Sequence, residues 1–446
     1  MDVNHAEKKP YFCTMSNFEN TAAWAQNMDE QDELASFRQR FHIPIHHGQE
    51  TVYFCGNSLG LQPKQTSHYV LQELQDWATL GVEGHFKPHT GWFGYHELLR
   101  DATARLVGAQ PQEVVVMNHL TVNLHLLLVS FYRPTADRYK IICEGGAFPS
   151  DRYALQSQVE WHGFDAADAL IELQPRKGEE LIRHEDIIEA INDCGDALAL
   201  VMLGGVHYFT GQVLNMKAIT DAAHEVEAYA GFDLAHAAGN LELKLHEWNV
   251  DFAAWCSYKY LNGGPGTVGG AFINDRHVKN VHLPRFAGWW GNDPSQRFKM
   301  PHRFVPVPTA DSWQLSNAPI LEMAALRASL ELFDEAGMPR LAAKGKELTS
   351  YLLFVIKDVL KAKGKSDLVQ IITPFEKQWQ GCQLSLKFMK DGKAIFDQLT
   401  AQGVISDWRE PDQEGRTEGV IRVAPVPLYN SFMDVWRFGE ILKSAL

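Results

Sequence analysis

Lys259 closes an apolar run, Asp251-Phe252-Ala253-Ala254-Trp255, between two tyrosines, Tyr258 and Tyr260, and just ahead of a glycine-rich stretch ending at Gly269-Gly270. A lysine ammonium is costly to bury and rarely ends an apolar strand without a partner. Beside aromatic rings its pKa falls, and the amine becomes a plausible Schiff-base nucleophile. A lysine with a buried stem and a head reaching water fits the local sequence too. Its company must decide.

Asp233 ends Gly231-Phe232-Asp233, 26 residues before Lys259, about the length of one strand–helix–strand unit. Neighbouring strands can therefore present both side chains to one site. A carboxylate is what a pyridine-type ring needs to keep its nitrogen protonated and act as an electron sink. The competing role for Asp233 is a helix N-cap. His236, three residues on, could orient or stack. Leu120-Thr121 opens a helix with N–H groups and a hydroxyl, the donors a phosphate requires. Phe148 offers an aromatic face at another strand end. Arg422, mid-strand, could hold a carboxylate bidentately or form a surface salt bridge. No Walker loop and no G-x-G-x-x-G opening a helix is present, so a nucleotide has no visible cradle.

The elements that must position these residues alternate regularly. Strands are expected at 114–117, 140–144, 169–173, 198–203, 229–233 and 252–257, with helices at 122–132, 152–162, 184–192 and 216–228 between them. Near-continuous apolar strands joined by helices imply an α/β fold with a mostly parallel sheet covered on both faces. Ligands then bind beyond the carboxyl ends of the strands, where Thr121, Asp151, Gly204, Asp233 and Lys259 all fall. Earlier, helical spacing predicts helices over 29–41 and 63–80, and the loop 84–93 has the composition of a binding loop. Beyond about residue 320, long amphipathic helices (320–336, 339–363) and alternating strands (382–388, 419–423) read as a smaller α+β domain.

Composition narrows the function classes. The 446 residues are 45% hydrophobic and 22% charged, with net charge −14 spread along the chain. That balance suits a globular protein and disfavours nucleic acid as a partner. There is no signal-like start and no apolar run long enough for a membrane helix, so neither secretion nor a membrane is expected. Six scattered cysteines, Cys13 among them, with no Cys-x-x-Cys pair, read as reduced core residues of a cytoplasmic protein. His42, His46 and His47 lack acidic or cysteine neighbours at ligand spacing, and no His-Glu-x-x-His occurs, so no metal is expected. Gly56-Asn57-Ser58-Leu59-Gly60 matches the hydrolase nucleophile elbow G-x-S-x-G, but Leu61-Gln62-Pro63 delays the next helix. A glycine-turned loop that brings Ser58 to a ligand is the other account.

Taken together, the chain resembles the kynureninase family, fold-type-I enzymes dependent on pyridoxal 5′-phosphate. The resemblance runs from about Phe54 to Tyr429. Its motifs are 56–63, Leu120-Thr121-Val122-Asn123-Leu124-His125, Phe148-Pro149-Ser150-Asp151, Tyr208-Phe209-Thr210-Gly211-Gln212, 231–236, Tyr258-Lys259-Tyr260-Leu261-Asn262, Gly288-Trp289 and 422–427. It implies a large domain with a seven-stranded sheet (61–319), a small C-terminal domain (320–446), and an N-terminal segment (1–60) packing with the small domain. It implies that Lys259 carries the cofactor as a Schiff base, that Asp233 pairs the ring nitrogen, and that Tyr258 serves as acid–base. Leu120, Thr121, Phe148, Pro149, Ser150, Asp151, His236 and Tyr258 would surround ring and phosphate, with Trp289 and Asn317 completing the pocket from the second subunit of a homodimer. Ser58, His85 and Asn317 match positions at the aromatic end of the substrate, and Arg422 the position holding its carboxylate. The implied reaction is hydrolytic Cβ–Cγ cleavage of kynurenine or 3-hydroxykynurenine. Two departures stand out: Gly204 replaces a serine of the animal enzymes, and Trp290 replaces an expected phenylalanine.

Overall fold

The computed structural model describes residues 18–410 and 419–446; Cys13 and the start of the N-terminal segment lie outside the described residues. Seven strands form the large sheet: β1 (Val114–Val116), β2 (Lys140–Glu144), β3 (Leu170–Leu173), β4 (Leu198–Gly204), β5 (Tyr229–Asp233), β6 (Phe252–Trp255) and β7 (Gly270–Ile273). Their spatial order is β1-β7-β6-β5-β4-β2-β3. From β6 to β3 all neighbours are parallel, whereas β7 runs antiparallel to both β6 and β1. The six strands expected from the sequence are all present. The seventh lies where the glycine-rich stretch masked a four-residue apolar run, Gly270-Ala271-Phe272-Ile273.

Alternation divides each strand between two cores. Val201, Leu203, Phe232, Ala253 and Phe272 face one side, and Leu200, Met202, Phe252, Ala254 and Ala271 the other. The second face is covered by α2 (Leu120–Phe131), through Leu124, Leu127, Leu128 and Phe131. The first face also receives Met323, Leu326, Leu330 and Phe333 of α4 (Ile320–Ala336). That helix lies against α1 (Gln65–Leu80) and packs with the large core, which Met338 and Leu341 also join beyond Gly337, where φ is +78°.

The C-terminal part builds a four-stranded sheet, β8 (Val369–Ile371), β9 (Leu384–Phe388), β10 (Asp407–Arg409) and β11 (Val420–Val423), in the order β8-β9-β11-β10. Its core joins Leu384, Leu386, Ile421 and Val423 to Leu352, Val355 and Ile356 of α5 (Met338–Ala362). Ala25, Val52 and Phe54 of the N-terminal segment enter the same core, and Val52–Tyr53 pairs in parallel with Val404–Ile405. The helix expected over 29–41 is two pieces, Ala22–Gln31 and a 3-10 turn, Ala35–Arg40. Asp32 breaks them: it is extended, and its carboxylate accepts the Leu34 N–H at 2.9 Å.

Candidate active site

Four strand ends and two helix N-termini meet over the carboxyl edge of β2, β4, β5 and β6. They enclose a cavity of about 150 Å³ lined by Leu120, Thr121, Glu144, Phe148, Ser150, Asp151, Gly204, Tyr208, Asp233, His236, Tyr258 and Lys259, among others. This is the place a doubly wound sheet offers a ligand. β5 delivers Asp233, the Leu234–His236 turn delivers the imidazole, and the turn after β6 delivers the amine.

Lys259 Nζ lies 3.0 Å from His236 Nε2. The amine also sits 5.8 Å from the Phe148 ring centre and 6.0 Å from that of Tyr258. Burial, then the nearby Lys259 charge, lowers the His236 pKa well below its ordinary value, which keeps the ring neutral and able to accept. The backbone behind Lys259 is clamped: Gly60 N–H donates to the Tyr258 carbonyl at 2.8 Å, and a Cβ at Gly60 would stand 2.3 Å from the Lys259 oxygen. Glycine at position 60 is therefore required by close approach.

Asp233 is buried, and one of its oxygens accepts the Ala235 N–H at 2.6 Å. Asp151 lies within hydrogen-bonding reach of it, and burial raises both carboxyls above their usual range, Asp151 the further. The N-termini of α2 and α3 (Pro149–Trp161) reach the same cavity, and the Thr121 and Ser150 hydroxyls stand 2.8 Å apart. Open helix N–H groups plus two hydroxyls make an anion cradle. Phe148 meets Tyr208 edge to face at 5.4 Å. Burial also raises the Tyr258 hydroxyl, so it stays protonated.

Arg422 is buried, so the surface salt-bridge account fails. Its Nε and Nη2 donate to Asp407 Oδ1 at 3.0 and 2.8 Å, and its Nη1 donates to the Tyr208 carbonyl at 2.8 Å. It stands behind Tyr208 and outside the cavity wall. Pro149 is the first residue of α3 and shapes the turn without lining the cavity. Ser58, His85, Trp289 and Asn317 are likewise absent from this wall in the single chain. Ser58 sits in a turn, its N–H donating to Cys55 O at 2.9 Å, and the next helix starts only at Gln65. That geometry overturns the nucleophile elbow. His85 packs edge-on to Trp92 at 5.3 Å, Trp289 is half exposed with Nε1 bonded to Arg297 O, and Asn317 is exposed.

Sequence reasoning missed Glu144 and Asp407, and it named Tyr208 only within a matching motif, without a role. Glu144 carried the same signal as Lys259 and Asp233, a charged residue ending an apolar strand. Trp290, the second tryptophan, is buried between Phe93 and Arg297, a packing exchange. Among the described residues no group of three or more His, Cys, Asp or Glu is placed to hold a metal, and no helix is long and apolar enough to cross a membrane.

The cavity fits a phosphorylated pyridine aldehyde. An amine, a carboxylate for a ring nitrogen and an anion cradle face one another, and two buried polar atoms, His236 Nδ1 and Asp151 Oδ1, have no hydrogen-bond partner among the described residues. Residues 52–370 match the family described as aminotransferase class V, and residues 341–442 match the kynureninase C-terminal domain. A kynureninase of Flavobacterium psychrophilum is 52% identical over 96% of this chain and 99% of its own length. One from Koribacter versatilis is 54% identical over 94% and 97%. In solved structures, the cysteine desulfurase CsdA from Escherichia coli superposes with a TM-score of 0.73 at 17% identity, covering 93% of this chain and 98% of that one. An apo cysteine desulfurase from Thermococcus onnurineus gives 0.69 over 88% and 94%. Fold and site thus define a fold-type-I enzyme whose cofactor is pyridoxal 5′-phosphate. Within that class the chain belongs to the kynureninase family.

Proposed function

We propose that this chain hydrolyses the Cβ–Cγ bond of L-kynurenine and L-3-hydroxykynurenine, releasing L-alanine with anthranilate or 3-hydroxyanthranilate, in tryptophan catabolism and NAD biosynthesis in the cytoplasm. The observation that carries this reading is the Lys259–His236 contact, in one cavity with the Asp151–Asp233 pair, in a chain of this family. Bound pyridoxal phosphate supplies an electron sink for charge developing at the substrate's Cα and Cβ. The remaining work belongs to the chain's own residues.

Lys259 Nζ would hold the cofactor covalently, and its free amine is the base placed to take the substrate's Cα proton. Asp233, with Asp151 beside it, would hold the ring nitrogen, while Thr121, Ser150 and the N-termini of α2 and α3 would hold the phosphate. Leu120 and Phe148, which line the cavity, would offer the ring its apolar contacts. Water adds at the γ-carbonyl, and the protonated Tyr258 hydroxyl delivers a proton to Cβ. Arg422, aimed by Asp407, takes the substrate carboxylate.

Trp289, Asn317, Ser58 and His85 act in this reading at a site completed by a second copy of the chain. An exposed apolar stripe supports that reading: Leu71, Leu74, Trp77 and Leu80 of α1 continue into Val82 and Phe86, beside His85. The test is steady-state turnover of kynurenine and 3-hydroxykynurenine with product release followed by fluorescence. A Lys259→Ala protein that retained borohydride-fixed cofactor and turnover would overturn the scheme.

A further inference from the structure

The loop after β4 carries Tyr208 to the cavity wall, where its ring meets Phe148 edge to face; the Phe148 ring in turn lies 5.8 Å from the Lys259 amine. The loop leaves β4 at Gly204, whose N–H donates to Glu144 Oε2 at 2.8 Å. A Cβ there would stand 2.8 Å from Glu144 Oε1, so the glycine leaves the space this carboxylate fills. Tyr208, Phe209 and Thr210 then form a turn outside any strand or helix. Their carbonyls have no ladder partner and must find donors elsewhere.

The small-domain sheet supplies those donors. Arg422 Nη1 and Gln383 Nε2 donate to Tyr208 O at 2.8 and 3.1 Å, Ser385 Oγ to Phe209 O at 2.6 Å and Thr373 Oγ1 to Thr210 O at 2.6 Å. Three successive carbonyls are held by four side chains, each at most 2% exposed. The register aligns them: Ser385 of β9 stands opposite Arg422 of β11, and Thr373, just past β8, accepts the Ser385 N–H on its Oγ1 at 2.9 Å. Asn57, from the 56–60 loop, donates from Nδ2 to Gln383 Oε1 at 2.9 Å, which leaves Gln383 Nε2 turned toward Tyr208. Gly211, at φ +75°, permits this close approach, since a Cβ there would stand 3.3 Å from Thr373 Oγ1.

Arg422 has a task at the substrate carboxylate in the function proposed above. Thr373 and Ser385 have none, and neither lines the cavity. We propose that these two hydroxyls are positioning groups: by holding the Phe209 and Thr210 carbonyls they keep Tyr208 against Phe148, and so fix the aromatic wall of the cofactor site from the small domain. The inference rests on the reading of this cavity as the cofactor's seat.

The experiment compares the full-length wild type with Thr373→Val, Ser385→Ala and Thr373→Ser. Hydrogen exchange followed by mass spectrometry on the cofactor-free chain reads the loop itself. Thr373→Val and Ser385→Ala should each exchange at least about fivefold faster over residues 206–212, with β2 unchanged. Titration of pyridoxal 5′-phosphate should show a dissociation constant raised about fivefold, and a weaker circular dichroism of the cofactor at saturation. A general loss of stability would leave that saturated signal unchanged. Thr373→Ser keeps the hydroxyl and should match the wild type. Should Thr373→Val not fold, Ser385→Ala carries the test alone. Wild-type affinity and dichroism in a folded hydroxyl-less variant, or the full loss in Thr373→Ser, overturns the proposal. Borohydride separates the two claims: cofactor fixed to a lysine other than Lys259 would defeat the reading of the cavity, whereas wild-type affinity with the cofactor on Lys259 defeats only the role of the two hydroxyls.

Discussion

His236 Nε2 and Lys259 Nζ face each other at 3.0 Å, although 23 residues separate them. With Nε2 accepting from the amine, the ring proton resides on Nδ1, a buried atom with no partner among the described residues. The imidazole therefore aims the amine into the cavity while keeping one donor in reserve for a ligand.

Replacing that acceptor tests the aim. His236→Phe keeps a flat ring but loses the hydrogen bond, and cofactor affinity should fall about tenfold. Absorbance titration of the cofactor measures it; an unchanged affinity would remove His236 from the site's machinery.

The two carboxyls should separate in effect. Asp233→Asn leaves the ring nitrogen without its counter-charge, and turnover should drop by at least about a hundredfold. Asp151→Asn, which retains a hydrogen-bonding partner for Asp233, should cost far less. Equal losses would contradict the division of roles.

Arg422 and Asp407 make a positioning pair. Arg422→Lys loses the planar fork, so KM should rise about tenfold or more with a smaller change in kcat. Asp407→Asn should raise KM in the same direction by releasing the guanidinium. Should kcat fall while KM stays fixed, Arg422 is not holding the substrate carboxylate.

Far from the cavity, Asp251 is buried against His224 (2.9 Å), His277 (2.7 Å) and Arg276, and accepts the Ala230 N–H at 2.7 Å. Burial alone would raise its pKa, but these partners outweigh it and leave the carboxyl below its ordinary value. A depressed carboxylate contributes stability above its unfolded pKa of about 4, and that contribution is lost as pH falls below it. Asp251→Asn should lower unfolding free energy in urea by about 3–5 kcal/mol at neutral pH, with the gap narrowing in acid. A pH-independent gap would count against the ionic account.

The α1 stripe gives the assembly test. Trp77→Glu should shift the chain toward monomer in sedimentation and reduce turnover together, if Trp289 and Asn317 serve the site of a second copy. Mixing Lys259→Ala with Asn317→Ala chains should then restore part of the activity. A fully active monomer would refute the shared site.

Much of the site was legible because strand ends in an α/β sheet share one edge. Thr121, Asp151, Asp233 and Lys259 each follow an apolar run, so a one-dimensional pattern placed them together. The same rule would have found Glu144, had the charge closing Ile141-Ile142-Cys143 been given equal weight. β7 escaped because glycines at 263, 264, 266, 269 and 270 read as loop, while its antiparallel pairing with β1 and β6 is a non-local fact. The break at Asp32 was hidden by helical spacing that continued through Leu34 and Phe37.

By itself the sequence determined the fold class, the cofactor chemistry and the family, because these follow from residue type at strand ends and from long matching motifs. Only the tertiary structure decided which atoms meet. It set His236 Nε2 against Lys259, tied Arg422 to Asp407 behind Tyr208, and filled the space over Gly204 with Glu144. Those contacts join strands and loops distant in sequence, and packing in three dimensions, not local periodicity, fixes them.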